Sequence, residues 1–168
     1  MRIIFATGCI IIIKVGENMK IPDDNRQVLF GGIFILANKL QYVADRKVAG
    51  LSAKQWFLLR TLEDMPTEPP PTITSLAEET DTTRQNNAKM LEILSRHGYV
   101  SLTDNPNDQR SRRVKITDKG QRMLGAMAAG SADFFAELFS GIGDDECKAA
   151  ARAIIKMIDN LTKMQEGS

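Results

Sequence analysis

The stretch from Ile73 to Gly120 restricts the fold of this chain more than any other. It runs ITSLAEETDTTRQNNAKMLEILSRHGYVSLTDNPNDQRSRRVKITDKG. Thr74 is suited to cap a short helix over Ser75 to Glu79, and Thr80-Asp81 forms a turn. A longer helix is expected from about Thr82 to His97, stopped by Gly98. Tyr99 to Thr103 and Arg113 to Thr117 are strand-like, with the turn cluster Asp104-Asn105-Pro106-Asn107-Asp108 between them. Two helices joined by a tight turn and followed by a basic hairpin have the layout of a winged helix-turn-helix.

The flanks are apolar helix. Leu29, Ile33, Leu36, Ala37, Leu40, Val43 and Ala44 recur at helical spacing, which predicts a first helix from about Asp24 to Lys47, capped by Asp23 or Asp24 and ended by Gly50. Ser52 and Gln55 have capping-box spacing for a second helix through about Leu62, with Trp56, Leu59 and Leu62 toward the core. Residues 65 to 71, MPTEPPP, cannot continue a helix and predict a stiff loop. Thr117 or Asp118 caps a helix to about Ser140. After Gly141 and Gly143, Asp144 opens a last helix with Cys147, Ala151, Ile154, Ile155, Ile158 and Leu161 in register.

The expected fold class is therefore mainly α with a small β-wing: a winged helix-turn-helix head over residues 51–117 on a helical dimerisation base from residues 19–50 and 118–168. The apolar faces outside the head exceed what so small a module covers. A second copy related by a twofold axis buries them most simply. Residues 1–18 are expected to be an extension, with two compatible readings: a short strand (Ile10 to Ile13 and Val15 are β-branched) and residues ahead of a start at Met19. Their apolar run is too short for a membrane span and lacks a cleavage site, so no membrane partner is expected.

The net charge of +1 hides an uneven distribution. From Arg84 to Arg122, nine Lys/Arg stand against four acids, a local net charge of +5 that leaves −4 for everything else. A concentrated positive face on a near-neutral protein is suited to a polyanion. Cys9 and Cys147 are too few for a disulfide framework, which fits a reducing cytoplasm. The single histidine, His97, sits at a helix C-terminus, where partial positive charge is favourable, and fits capping better than a metal site. Neither metal nor cofactor is expected. No phosphate-cradling glycine loop and no nucleophile–base pair is present, which excludes the common enzyme classes.

The chemistry lies on the second helix of the head and on the wing. With Ala88, Leu91 and Leu94 turned inward, Arg84, Gln85, Asn86 and Lys89 face outward. Gln and Asn bond adenine bidentately, and Arg and Lys bond guanine. Thr82 and Thr83 stand at the positive helix N-terminus, suited to a phosphate oxygen. The wing segment Asp108-Gln109-Arg110-Ser111-Arg112-Arg113 is expected to cross the hairpin tip. An arginine there reaches the narrow minor groove, and Asp108 is expected to pair with a nearby arginine and hold the loop. Arg112 and Arg113 fit DNA contact and hairpin solubility equally well.

Residues 52 to 124 resemble the MarR family of bacterial transcriptional regulators. The resemblance is carried by Leu76-Ala77, by Leu94 with Gly98-Tyr99-Val100, by Asp108-x-Arg110-Ser111 and by Ile116-Thr117-x-x-Gly120. The flanking helices extend it to about residues 24 to 164. It implies a homodimer, a helix from Thr82 in the major groove and Arg110 in the minor groove of a pseudo-palindromic double-stranded DNA operator. It also implies a small effector, often a phenolic or other aromatic anion, bound between base and head. Two departures reduce positive charge at the wing: Ser101-Leu102-Thr103 and Gln109 stand where members often have basic residues.

Phe30, Phe34, Tyr42, Trp56 and Phe57 are the aromatic residues that would line an effector cavity, although aromatics at helical spacing equally fit a core. The expectation is a DNA-binding repressor with a ligand-responsive dimer. The alternatives are a winged-helix protein-interaction module without DNA binding and a cysteine redox-sensing regulator. The alternative of redox sensing is disfavoured because Cys147 falls on an apolar stripe and Cys9 lacks a basic cluster.

Overall fold

The computed structural model describes residues 25–47, 51–106 and 108–167. The elements in chain order are α1 (Asn25–Lys47), α2 (Ala53–Asp64), α3 (Ile73–Glu79), α4 (Arg84–Arg96), β1 (Val100–Asn105), β2 (Asp108–Ile116), α5 (Asp118–Leu138) and α6 (Asp144–Glu166). Helices with one antiparallel two-stranded sheet make up the expected class. The extension at residues 1–18, the expected caps Asp23 and Asp24, and the stop at Gly50 lie outside the described residues.

The helix starts follow from side chains that satisfy the orphan amides of a first turn. The box expected at Ser52 forms: Ser52 Oγ accepts from Gln55 N at 3.2 Å, and Gln55 Oε1 accepts from Ser52 N at 2.9 Å. Asp45 of α1 accepts from Ala53 N at 2.6 Å, which joins α1 to the start of α2. The cap of α3 differs from expectation. It is Thr72, not Thr74, since Thr72 Oγ1 and Ser75 Oγ cap one another's amides at 3.0 and 2.9 Å. The two-sided box holds the start two residues earlier, and Ile73 is then buried in the first turn. Seven residues are too few to be helical alone. Leu76, with no exposed surface, holds α3 to the core.

Leu58, Leu59 and Leu62 of α2, Leu76 of α3, Leu91 and Leu94 of α4, Val100 and Val114 of the sheet and Leu124 of α5 make that core. Trp56 is half-buried, and Leu58 takes the inward position beside Leu59 and Leu62. The β strands are longer than the sequence predicts. β2 begins at Asp108 rather than Arg113, and residues 108–113 belong to a strand instead of crossing a tip. Val100 pairs with Ile116, and the register runs regularly to Asp104 opposite Arg112. It then shifts, so that Asn105 faces Asp108. The proline loop contributes to the wing: Val114 N donates to Pro71 O at 2.9 Å, and Thr72 bridges Arg113.

The described residues fall into two compact units that meet within α5, one ending at Gly125 and the other beginning at Ala126. In the first unit, α1 exposes Leu29, Phe30, Ile33, Phe34 and Leu36. In the second, α6 has no buried residue and exposes Ile154, Ile155, Ile158, Leu161 and Met164 at helical spacing. No described helix is long and apolar enough to cross a membrane.

Candidate nucleic-acid interface

The turn between α3 and α4 sets the aim of α4. Thr80 N donates to Leu76 O at 3.1 Å, and Asp81 takes a positive φ of 47°. Aspartate tolerates this left-handed conformation better than most residues. The expected turn at Thr80-Asp81 is therefore present. Thr83, rather than Thr82, ends the turn as the cap of α4, its Oγ1 accepting from Asn86 N at 3.2 Å. Arg84 and Gln85 follow in the first turn, where the positive end of the helix dipole lies.

Thr83, Arg84, Gln85, Asn86 and Lys89 are exposed, and Thr82 is half-buried. The polar run from Thr83 to Asn87 nevertheless does not all face outward. Asn87 is completely buried, in register with Leu91 and Leu94, and its Nδ2 donates to Thr80 Oγ1 at 3.1 Å. Its Oδ1 accepts no hydrogen bond among the described residues. Asn87 is the residue that the sequence reading missed. Its i, i+4, i+7 spacing with the two leucines was the available signal. Ala88, expected inside, is half-buried.

At the other end, His97 is the C-cap of α4, followed by Gly98 at φ 75°. The left-handed turn at Gly98 leads into β1. Lys119 Nζ donates to His97 O at 2.8 Å and lies 5.1 Å from the centroid of the Tyr99 ring, on which His97 also stacks. His97 thus closes the helix and packs on its neighbour.

Along the wing the arginines separate. Arg112 is exposed opposite Asp104. Arg113 is half-buried and spends its guanidinium internally: Nε donates to Asn105 Oδ1 at 3.1 Å and Nη1 to Pro70 O at 2.5 Å. Ser111 is buried against Asn105, whose Nδ2 donates to Ser111 Oγ at 3.4 Å. Of the wing residues expected at DNA, Ser111 is thus buried inside the hairpin, Arg113 is half-buried and Arg112 is exposed. Asp108 is exposed at the start of β2. Arg110 lies in β2 within the shifted stretch of register, and its side chain lies outside the described residues, as does that of Gln109.

Beneath α4 lies a cleft of about 660 Å³, bounded by Leu40 and Gln41 of α1, Lys54 and Phe57 of α2, and Asn86, Asn87 and Lys89. Of the aromatic set expected to line a cavity, Phe57 is there. Phe30, Phe34, Tyr42 and Trp56 do not line it. Phe30 packs edge-on against Phe34, with ring centroids 5.3 Å apart, and Arg46 covers the Tyr42 ring at 4.4 Å. Cys147 is half-buried on α6, and Cys9 lies outside the described residues.

Residues 51–120 match the model of a winged helix DNA-binding domain. The transcriptional activatory protein BadR of Rhodopseudomonas palustris is 24% identical over 143 residues, which cover 83% of this chain and 82% of that protein. The chain thus carries a winged helix DNA-binding domain over these residues and is similar to a transcriptional regulator over most of its length. Among solved structures, a MarR transcriptional regulator from Methanosarcina mazei Go1 superposes with a TM-score of 0.72 at 22% identity, covering 82% of this chain and 99% of that one. The MepR–DNA complex of S. aureus gives 0.70 at 18% identity, covering 79% and 97%. These structures share the fold of this chain: a helix-turn-helix, a wing and helices on both sides.

Proposed function

We propose that the chain is a homodimeric, sequence-specific DNA-binding repressor whose operator affinity responds to a small ligand. The observation that carries the proposal is the start of α4: Arg84, Gln85, Asn86 and Lys89 stand exposed on a helix whose other side is fastened to the core by Leu91 and Leu94. A rigid helix presenting amide and cationic side chains suits the major groove. In this reading Thr82, Thr83 and the first amides of α4 meet phosphate, while Arg110 and Arg112 extend from the wing toward the minor groove and backbone. Arg113, Ser111 and Asp108 shape the hairpin instead.

The apolar faces of α1 and α6 support the homodimer, since exposed faces of this extent mark association surfaces. Residues 19–50 and 118–168 would form its base, and two heads would meet a pseudo-palindrome with half-sites one helical turn apart. BadR is named an activatory protein. Repression is proposed here because occluding a promoter needs only DNA affinity, whereas activation needs a further surface for polymerase. An aromatic anion in the cleft would be the effector. A repressor acting on chromosomal DNA would work in the cytoplasm.

A mobility shift on the gene's own upstream region at two salt concentrations tests this. A discrete complex that weakens steeply with salt, and that random DNA does not compete away, is expected. Equal affinity for both DNAs would remove sequence-specific regulation, and no complex at low salt would leave a protein-interaction module.

A further inference from the structure

We infer that the buried pair Asn87–Thr80 positions α4: it fixes the rotation of that helix against α3, and so determines how sharply the protein separates its operator from other DNA. The inference rests on the proposal that the exposed side of α4 reads bases.

The pair ties one helix to the other by direction rather than by bulk. Asn87, with no exposed surface, donates from Nδ2 to Thr80 Oγ1 at 3.1 Å, and Thr80 Oγ1 donates to Leu76 O at 2.7 Å. Thr80 N donates to the same carbonyl at 3.1 Å, and Thr82 N donates to Ala77 O at 3.0 Å, so the hydroxyl is itself held at the end of α3. The worth of the pair does not lie in stability. Asn87 Oδ1 is buried and accepts nothing among the described residues, which offsets the bond that Nδ2 makes. An apolar pair of the same shape would hold the two helices about as firmly. It would lack direction. Apolar packing, here by Leu91 and Leu94, loses a unique arrangement before it loses stability. A hydrogen bond weakens steeply away from its preferred angle and singles one arrangement out.

The pair sits where a roll of α4 matters most. Asn87 follows Asn86 directly, and Arg84, Gln85, Asn86 and Lys89 stand exposed around it. A helix with its side chains has a radius of about 5–6 Å, so a roll of about 10° carries an outward side chain sideways by about 1 Å. That shift takes a bond to a base edge out of its working range of about 2.7–3.2 Å. Contacts to phosphate act through charge over a longer reach and absorb it. Loss of the pair therefore removes discrimination and spares sequence-independent affinity.

Thr80→Val exchanges the hydroxyl for a methyl group at unchanged shape and is the test. The full chain is titrated, by fluorescence anisotropy over a salt series, with a duplex from the gene's own upstream region and with a random duplex of equal length. Thr80→Val should lower the ratio of the two affinities roughly tenfold, the worth of one good base contact. Affinity for random DNA and its salt slope should stay as they are. Thr80→Ser, which keeps the hydroxyl, should restore the ratio. Partial unfolding of a variant lowers both affinities alike and drops out of the ratio. Asn86→Ala should cost the wild type roughly tenfold on the upstream duplex, and Thr80→Val less than about twofold, because the base contact is already lost there. An unchanged ratio in Thr80→Val, a Thr80→Ser that does not restore it, or the same cost of Asn86→Ala in both backgrounds would overturn the inference while the proposed function stands. A wild type without preference for the upstream duplex would overturn both.

Discussion

Gly120 meets Tyr99 through backbone alone: a Cβ at Gly120 would overlap the Tyr99 carbonyl oxygen and crowd the Ile116 side chain. That oxygen also accepts from Thr117 N at 3.0 Å, while Thr117 Oγ1 donates to Gly98 O at 2.6 Å and accepts from Gly120 N at 3.1 Å. The end of the wing is thereby sewn to the end of α4 and the start of α5. Gly120→Ala is expected to lower stability by about 1–3 kcal/mol, because the obstructing atom is backbone and has nowhere to go. Gly125→Ala, with open space around it in the same helix, should raise stability by roughly 0.5–1 kcal/mol. Urea titration of both variants checks the pair; equal shifts would remove the steric account.

The two neighbouring wing arginines should separate stability from DNA binding. Arg113→Ala leaves Asn105 Oδ1 and Pro70 O without their donor, which costs about 1–3 kcal/mol. Arg112→Ala, at an exposed position, should cost less than about 0.5 kcal/mol of stability. Arg112→Ala should instead weaken binding to all DNA sequences and make the salt slope shallower by about one unit. Unchanged salt dependence would leave Arg112 as a solubilising side chain.

Base reading is checked at Asn86. Asn86→Ala should cost about 1–3 kcal/mol on the operator and little on random DNA, measured by fluorescence anisotropy. Equal losses on the two would make Asn86 a positioning residue.

For the dimer, light scattering should give about twice the 18.6 kDa chain mass. Ile155→Asp places a charge in the middle of the exposed apolar stripe of α6 and should shift the mass toward that of one chain. A wild type that already scatters as one chain would end the two-half-site model.

Much of the head was legible because its punctuation is local. Ser52 with Gln55, the Thr80-Asp81 turn and Gly98 each determine their own few residues, and the structure has all three. Thr72 and Thr74 are equally suited to a cap by residue type, and the reciprocal bonds with Ser75 settle the start on Thr72. The extent of β2 was hidden because its first half is polar and depends on pairing with β1 and on Arg113 reaching back to Pro70, far away in sequence. Asn87 was hidden by its type, as an amide within a polar run looks exposed until its helical phase is set by the leucines beyond it. Aromatic type alone does not place a side chain at a cavity: the cleft is lined by aliphatic, hydroxyl, amide and lysine side chains, with Phe57 from the aromatic set.

Among the described residues, every side chain of the hydrophobic core lies between Leu51 and Leu124, and α6 contributes none. On the proposed dimer, the head is stabilised within one chain, while α6 gains its stability only where two chains meet. The fraction of assembled protein then rises with dose by mass action. Below a threshold concentration, single heads would sample DNA weakly. Above it, paired heads would occupy a two-part site together, and occupancy would climb more steeply than the amount of protein. Burial confined to the middle of the chain in this way makes the abundance of the protein itself an input to the switch.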